Sequence, residues 1–389
     1  MMVTDEGALG FAMQPSSRGT VAASATVLGN ADLLLHILRN ALDLRPLAAA
    51  AQISSHWRRC TELVRASLPQ LRRVRSLGTR GQSRAALDAP SVLCVLPDGN
   101  LACCERDRLR ILDSASGSIL ATVDYPLPPS TSRFGRDPSG VACTSDGRFL
   151  FVADARHDVI MRIQLSAAPE YVAPEYVGQI RSWGGFGEDP GQLAGPGSLA
   201  LDEAHGLLFT SEGLRVSCFC TDTWEGPARP FKFCIGQLGK RGRGACEFRN
   251  LGGLCVHEGV LFCADCGNQR VSTFDARTGA PLRTLCGRES GDDGVDMRPG
   301  RLTRPSDVCI WRGLLVVTEL SGRRAQLLSL DGEPLQVLRT DGDSVYRAPG
   351  EQRRPAKCYA VAVAPRRERG RAPALFLASS GPVPLHVFE

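Results

Sequence analysis

Cysteine and histidine are the residues of this sequence whose types and spacing could support metal or redox chemistry. Among fifteen cysteines, Cys263 and Cys266 form the only Cys-x-x-Cys pair. A structural zinc site usually combines two such pairs, and no second pair accompanies this one. Because Cys263 ends a β-rich run, we expect both thiols to pack at a strand end, with no metal and no cofactor.

The six histidines do not form a recognisable catalytic pattern. His205 and His257 each lie in a turn between two β-rich runs, so both are expected on one face of the fold. A metal-dependent lyase or hydrolase would need several Asp, Glu, Asn or His side chains to converge, and the sequence offers no such set. No Gly-x-Ser-x-Gly or phosphate-binding glycine loop is present either. We therefore predict no catalytic residues, and keep a hydrolase or lyase as the least favoured alternative.

Arginine dominates the charged residues. The chain has 46 basic and 41 acidic side chains, a net charge of +5, and three of the basic residues are lysines (Lys232, Lys240 and Lys357). The C-terminal segments around Arg353 and Arg366–Arg371 are basic, so contact with RNA phosphates is one alternative. Aromatic residues total 6 % and do not alternate with these arginines, so solvated loops are the favoured interpretation.

Composition also constrains the compartment. No stretch reaches the roughly 18 to 20 consecutive apolar residues of a membrane helix, so no membrane association is expected. The apolar stretch near Ala8–Met13 is short and follows Asp5 and Glu6, unlike a secretory signal. Fifteen cysteines are then expected to be reduced thiols in the cytoplasm or the nucleus.

The N-terminal part of the chain contains two different regions. Residues 1–26 are rich in Ser, Ala, Gly and Thr without periodicity, which predicts a disordered leader. In residues 27–70, apolar side chains such as Leu34, Ile37 and Leu38 keep helical spacing, and Pro46 lies where a second helix would begin. This pattern predicts a small helical module.

After residue 70 the sequence is β-rich and repetitive. The equivalent positions Val92, Val141, Leu199, Leu254, Val308 and Val361 lie 49, 58, 55, 54 and 53 residues apart, and glycine-rich bridges separate the repeats. Six units of about 50 residues with three or four strands each predict a mainly β fold, a six-bladed β-propeller over residues 71–389. Shifting the first two units by one residue places small side chains next to the axis: Cys94, Cys143, Ala200, Cys255, Cys309 and Ala362.

The two ends of this region are predicted to meet. The last unit ends on its third strand, Leu385–Phe388, whereas the segment from Arg75 is similar to the strand and bridge that begin at Arg181. We therefore expect the strand ending at Leu77 to complete the last blade, which would remove two exposed sheet edges.

The helical module resembles the F-box. The resemblance rests on a leucine-rich helix, an Ile-Leu pair and a tryptophan, and it implies that the module binds a Skp-type adaptor of a cullin ubiquitin ligase. The residues that would contact the adaptor are Leu33, Leu34, Ile37, Leu38, Leu42, Leu47, Ile53 and Trp57. The alternative is an unrelated helical cap.

The repeats resemble NHL-repeat propellers. The best copy is LFCADCGNQRVSTFD, which contains Asp265, Asn268, Arg270 and Val271. Together the two resemblances imply a non-catalytic substrate receptor of an SCF-type ligase, which would direct an unknown substrate protein to ubiquitination and proteasomal degradation. An RNA-binding or scaffolding propeller without a ligase link is the alternative.

Overall fold

The computed structural model divides the chain into two compact units, Met1–Pro69 and Gln70–Glu389. The described residues all belong to the second unit: 73–77, 92–105, 108–114, 116–124, 138–165, 177–221, 231–287, 296–321, 324–339, 358–363, 375–379 and 385–388. For 73–77, 177–181, 339, 358–363, 375–379 and 385–388, the backbone alone is described. The predicted leader over 1–26 and the predicted helical module over 27–70 lie outside these residues and stay predictions.

The described residues are almost entirely β-strand and turn. In chain order the strands are β1 (Arg73–Leu77), β2 (Val92–Val95), β3 (Leu101–Cys104), β4 (Arg108–Leu112), β5 (Ile119–Asp124), β6 (Pro138–Cys143), β7 (Phe149–Asp154), β8 (Val159–Leu165), β9 (Val177–Gly184), β10 (Leu199–Asp202), β11 (Leu207–Ser211), β12 (Arg215–Cys220), β13 (Phe231–Gly236), β14 (Leu251–His257), β15 (Val260–Asp265), β16 (Arg270–Asp275), β17 (Pro281–Leu285), β18 (Pro305–Trp311), β19 (Leu314–Glu319), β20 (Arg324–Leu328), β21 (Pro334–Arg339), β22 (Cys358–Val363), β23 (Leu375–Ser379) and β24 (Leu385–Phe388). Single 3₁₀ turns cover Glu203–His205 and Cys266–Asn268. No helix among the described residues is long and apolar enough to span a membrane.

These strands form six antiparallel four-stranded sheets. Five of them use four consecutive strands each: blade 1 (β2–β5), blade 2 (β6–β9), blade 3 (β10–β13), blade 4 (β14–β17) and blade 5 (β18–β21). The remaining one, the closing sheet, has the order β1-β24-β23-β22 and joins both ends of the second unit. Leu77 pairs with Leu385 and Arg73 with Phe388, which confirms the predicted pairing of the strand ending at Leu77 with Leu385–Phe388.

The innermost strands meet in a closed ring. Strand β2 contacts β6, and the contacts continue through β10, β14, β18 and β22 back to β2. A ring of radially arranged four-stranded sheets is a β-propeller. The structure therefore confirms a mainly β propeller fold for the repeats.

Hydrophobic cores lie between neighbouring blades. One cluster joins blades 1 and 2, and further clusters join blades 2 and 3, 3 and 4, and 4 and 5. Because the second strand of each blade is covered on both faces, it is a continuous apolar run and not an alternating one. Strand β7 (FLFVAD) and β19 (LLVVTE) are buried along nearly their full length, whereas the outer strand β17 is largely exposed.

Strand register identifies the equivalent positions of the blades. In blade 2, Val141 of the first strand pairs with Val152, which lies two residues before Asp154 at the end of the second strand. In blade 1, the residue that pairs two positions before the corresponding acid, Glu105, is Leu93 and not Val92. The predicted one-residue shift is therefore correct for blade 1 and wrong for blade 2.

The error in blade 2 has a physical cause. The residue equivalent to Cys94 of blade 1 is Ala142, which is buried, and Cys143 is the following residue, which is half-buried. Alanine and cysteine are both small enough for the crowded inner strand, so residue size alone did not distinguish the two registers.

Glycines allow neighbouring inner strands to approach each other closely. A Cβ at Gly140 would lie 2.1 Å from the carbonyl oxygen of Gly197, in the bridge just before β10. A Cβ at Gly252 would lie 2.3 Å from the carbonyl oxygen of Ser306. Because real Cβ atoms do not approach an oxygen this closely, glycine at these positions allows the inner strands to pack backbone against backbone.

Candidate recognition face

The bridges between blades are held by buried arginines. In blade 4, Nε of Arg270 donates to Oδ2 of Asp265 at 3.0 Å. The other guanidinium nitrogens of Arg270 donate to the carbonyl oxygens of Arg243, Gly244 and Glu247 in the preceding bridge, at 2.8 to 3.0 Å. One side chain thus fixes the path of a glycine-rich segment that has little regular structure of its own.

The same arrangement recurs in the blades on either side. Arg215 donates to Glu212 and to the carbonyl oxygen of Gln192, and Arg324 donates to Glu319 and to the carbonyl oxygen of Arg301. In blades 3, 4 and 5 this bridge carbonyl lies 23 residues before the arginine. We call the repeated unit of strand-end acid, arginine and bridge carbonyls the acid–arginine clamp.

The clamp continues into the next two bridge residues. The residue after the bound carbonyl is apolar and fully buried (Leu193, Phe248 or Leu302). The backbone N–H of the residue after that donates to the strand-end acid of the same clamp (Ala194 to Glu212, Arg249 to Asp265, Thr303 to Glu319). Each of these three bridges is therefore fixed by a carbonyl, an apolar side chain and an N–H in succession.

Burial makes these pairs costly as well as strong. It raises the pKa of the Glu319 carboxyl, although hydrogen bonds from Gln326 and Arg324 act in the opposite direction. A buried ion pair contributes geometric definition more than net stability, because desolvation offsets much of its Coulombic attraction. The clamp is therefore a structural device, and the side chains available to a partner lie on the bridges that it holds.

Blades 1 and 2 vary this device. Glu105 of blade 1 accepts from two arginines, Arg108 at 2.9 Å and Arg110 at 3.2 Å. In blade 2 the residue paired with Asp154 is Val159, and Asp154 instead contacts the ring of His157 at 2.8 Å. The bridges that precede these two blades lie outside the described residues.

The bridges and the turns between second and third strands share one face of the propeller, the bridge face. This follows from the antiparallel order of each blade, because the first strand begins where the second and fourth strands end. The turns between first and second strands, and between third and fourth, lie on the opposite face.

Basic side chains concentrate on the bridge face at blades 4 and 5. We define the basic bridge patch as Lys240, Arg241, Arg243 and Arg249 from the blade 4 bridge with Arg298, Arg301 and Arg304 from the blade 5 bridge. All of these except the half-buried Arg243 are exposed. Two acidic side chains accompany them and are already bound within the patch, Glu247 to Lys240 at 3.0 Å and Asp296 to Arg298 at 2.7 Å.

Arg304 connects the two halves of the patch. It has a left-handed backbone, φ 54°, and its side chain hydrogen-bonds Cys266 in the 3₁₀ turn of blade 4. The same turn contacts the end of the blade 4 bridge, where the N–H of Gly267 donates to the carbonyl of Asn250. The arginines of the two bridges therefore form one continuous surface.

Two large apolar side chains are exposed on the same face. Phe186 of the blade 3 bridge is 80 % exposed and Met297 of the blade 5 bridge is 43 % exposed. Phe186 is followed by the exposed acids Glu188 and Asp189, whereas Met297 precedes Arg298 in the basic patch. A patch with both apolar and charged side chains is typical of protein recognition surfaces.

The axis contains a channel of about 500 Å³. Half-buried thiols of Cys94, Cys143, Cys255 and Cys309 line it, beside Ser198 and Asp307. Burial raises the pKa of the Cys143 thiol to about 12 and raises those of the other three thiols as well. These thiols are therefore protonated at neutral pH and poor nucleophiles.

His205 and His257 line one groove of about 640 Å³ on the opposite face, so the predicted sharing of a face is confirmed. His205 contacts Asp202 at 2.9 Å, and His257 lies 3.9 Å from Glu258. Within the described part of the chain, no three His, Cys, Asp or Glu side chains are arranged to hold a metal ion.

The structure assigns clear positions to the residues of the best repeat copy. Cys263 is buried near the end of β15, and Cys266 is buried in the 3₁₀ turn that follows. The expected packing of both thiols at a strand end is therefore confirmed. Asn268 donates to Asp265 at 2.6 Å and to the carbonyl of Gly242 at 2.8 Å, so it belongs to the clamp. The eight predicted adaptor-binding residues, from Leu33 to Trp57, lie outside the described residues.

Sequence reasoning missed the basic bridge patch. Glycines are the feature that marks the bridges in the sequence, and the basic run at 366–371 lies outside the described residues. The sequence signal that could have indicated the patch is the segment GKRGRGACEFR, which contains four basic residues and one acidic residue.

Comparisons with known proteins add distant likenesses. A chain from the crystal structure of a nidogen/laminin complex has a TM-score of 0.46 at 14 % identity, over 72 % of this chain and 84 % of that chain. A chain from the crystal structure of RRP9 WD40 repeats has a TM-score of 0.48 at 14 % identity, over 82 % of this chain and 84 % of that chain. No family model matches the sequence, and no curated protein matches it. The propeller assignment rests on the strand pairing and the ring of inner strands.

Proposed function

We propose that this chain is a non-catalytic recognition protein, a substrate receptor of an SCF-type cullin ubiquitin ligase. Residues 27–70 would bind a Skp-type adaptor through an F-box-like helical surface, and an NHL-like six-bladed propeller would bind the substrate protein. The expected compartment is the cytoplasm or the nucleus.

One observation carries the recognition role: bridges with exposed arginines and apolar side chains are held rigid by the acid–arginine clamps. A loop that is already fixed loses little conformational entropy when a partner binds, so its contacts contribute more fully to affinity. Loops positioned by a rigid scaffold are the usual location of binding residues.

A second candidate is an RNA-binding or scaffolding propeller without a ligase link. The observation that favours it is the concentration of arginine on the bridge face, because arginine also contacts phosphate. Against it, the aromatic residue within the basic bridges, Phe248, is fully buried and offers no surface for base stacking.

Affinity capture from cells tests the ligase connection. We expect the full chain to copurify a Skp-type adaptor and a cullin, and a chain lacking residues 27–70 to lose both while keeping the proteins bound to the propeller. Absence of adaptor and cullin from the full-chain sample would exclude the ligase role. Treatment of the lysate with ribonuclease separates the second candidate, because partners held through RNA would then be lost.

A further inference from the structure

We infer that the basic bridge patch binds an acidic, carboxylate-rich segment of a partner protein that also carries a large apolar side chain. This inference rests on the proposed recognition role and specifies the chemistry of the partner. Acidic protein segments and nucleic acids are both negatively charged. The choice between them therefore depends on features of the patch that suit a peptide better than a nucleic acid.

The charge of the patch is the first argument. Its described bridge residues, 237–250 and 296–304, contain seven basic and two acidic side chains. By sequence, residues 288–295 of the blade 5 bridge add one base and three acids, which leaves the two complete bridges with a net charge of +3. Both described acids are paired within the patch, so the exposed side chains of Arg241 and Arg301 keep their positive charge for a partner. Arg301 also donates to the carbonyl oxygen of Gly287, at 3.5 Å.

Geometry is the second argument. The carbonyls of Arg243 and Arg301 are bound by Arg270 and Arg324, so the backbone of both bridges is fixed before a partner arrives. The planar guanidinium group suits bidentate contact with a carboxylate. The patch therefore presents several carboxylate-binding groups from a backbone that is already fixed.

The apolar surface distinguishes a peptide from RNA. Met297 is exposed beside Arg298 and would be covered by an aliphatic or aromatic side chain of a peptide. A peptide that carries a large apolar side chain next to its acidic residues therefore matches Met297 and the neighbouring Arg298.

Binding of a synthetic peptide to the full-length protein tests this inference. The probe is a labelled twelve-residue peptide with six Glu and two Leu, compared with the same peptide carrying Gln for Glu and with a twelve-nucleotide RNA. We expect the Glu peptide to bind at least about tenfold more tightly than the other two, and less tightly as salt increases, because exposed charges are screened over about 8 Å at physiological ionic strength.

Paired charge reversals locate the site. We expect Arg241→Glu with Arg301→Glu to weaken Glu-peptide binding at least about tenfold, and Arg277→Glu with Arg312→Glu, an equal charge change on the opposite face, to change it less than about twofold. Equal loss in both double variants, equal binding of Glu and Gln peptides, or tighter binding of RNA would each overturn the inference. Adaptor copurification does not depend on Arg241 or Arg301, so a failure here leaves the test of the ligase role intact.

Discussion

Asp265 and Arg270 face each other across the turn between β15 and β16, with Oδ2 and Nε 3.0 Å apart and side chains 0 % and 9 % exposed. The remaining donors of Arg270 bind three bridge carbonyls. The link between a blade and the bridge that leads into it is thus made by one ion pair, and equivalents recur in blades 3 and 5.

Loss of this arginine should be severely destabilising. Arg270→Ala would leave the Asp265 carboxylate buried without a counter-charge, so we expect the free energy of unfolding to fall by about 3–5 kcal/mol. Chemical denaturation followed by circular dichroism measures this change. Arg277→Ala, at an exposed position of the same blade, is the matched control and should change stability by less than about 0.5 kcal/mol. Equal effects would show that the clamp does not hold the bridge.

The contact between inner strands predicts a glycine requirement. Gly140→Ala would place a Cβ 2.1 Å from the Gly197 carbonyl oxygen, so β6 and β10 must separate, at a cost of about 2 kcal/mol or more. At Gly244 the nearest atom to an added Cβ is Oε2 of Glu247 at 3.0 Å, the far end of a side chain and not backbone, so Gly244→Ala should be tolerated. Thermal unfolding of the two variants compares them, and a stable Gly140→Ala protein would contradict the packing of these strands.

Closure of the ring predicts that β1 is required for folding. A fragment starting at Gln70 keeps β1 and should be soluble and compact. One starting at Ser83 lacks β1, exposes the edge of β24 and should aggregate or unfold, because an open strand edge pairs with other chains. Light scattering and melting curves compare the two fragments. Indistinguishable behaviour would show that β1 contributes nothing to the closing sheet.

Thiol reactivity should follow burial. Cys234 and Cys246 are exposed, whereas the channel thiols, such as Cys143 with its pKa raised to about 12, are half-buried. Iodoacetamide at pH 8 should therefore modify Cys234 and Cys246 well before Cys94, Cys143, Cys255 and Cys309, because the thiolate is the reactive form. Peptide mass spectrometry over a time course measures the order. Early modification of the channel thiols would contradict their protonated state.

The sequence predicted features that repeat and could not predict contacts made by backbone atoms. The similarity of the segments at Arg75 and Arg181 was sufficient to predict that β1 pairs with β24. The role of Arg270 was not accessible, because its partners are carbonyl oxygens 23 to 27 residues away, and any residue type supplies a carbonyl. The predicted register of blade 2 was wrong because Ala142 and Cys143 are both small enough for the crowded inner strand.

The sequence indicated that the candidate site would consist of loops, but not which loops would form it. A rigid ring with variable loops indicated recognition by loops, yet the choice among loops depends on which of them share a face and which arginines are already used internally. Arg270 and Arg241 are both arginines close to glycines, and the structure alone distinguishes the buried clamp residue from the exposed patch residue. The adaptor-binding residues around Ile37 and Leu38 stay predictions.

Direct binding of purified proteins tests the proposed receptor role most sharply. Isothermal titration of the full chain with a Skp-type adaptor should give a 1:1 complex, and Ile37→Asp with Leu38→Asp should abolish it, because charges buried in an apolar interface are costly. The double variant should keep the unfolding midpoint of the unmutated chain, which shows that the propeller remains folded. If the unmutated chain gives no binding to the adaptor, the chain is not a ligase receptor.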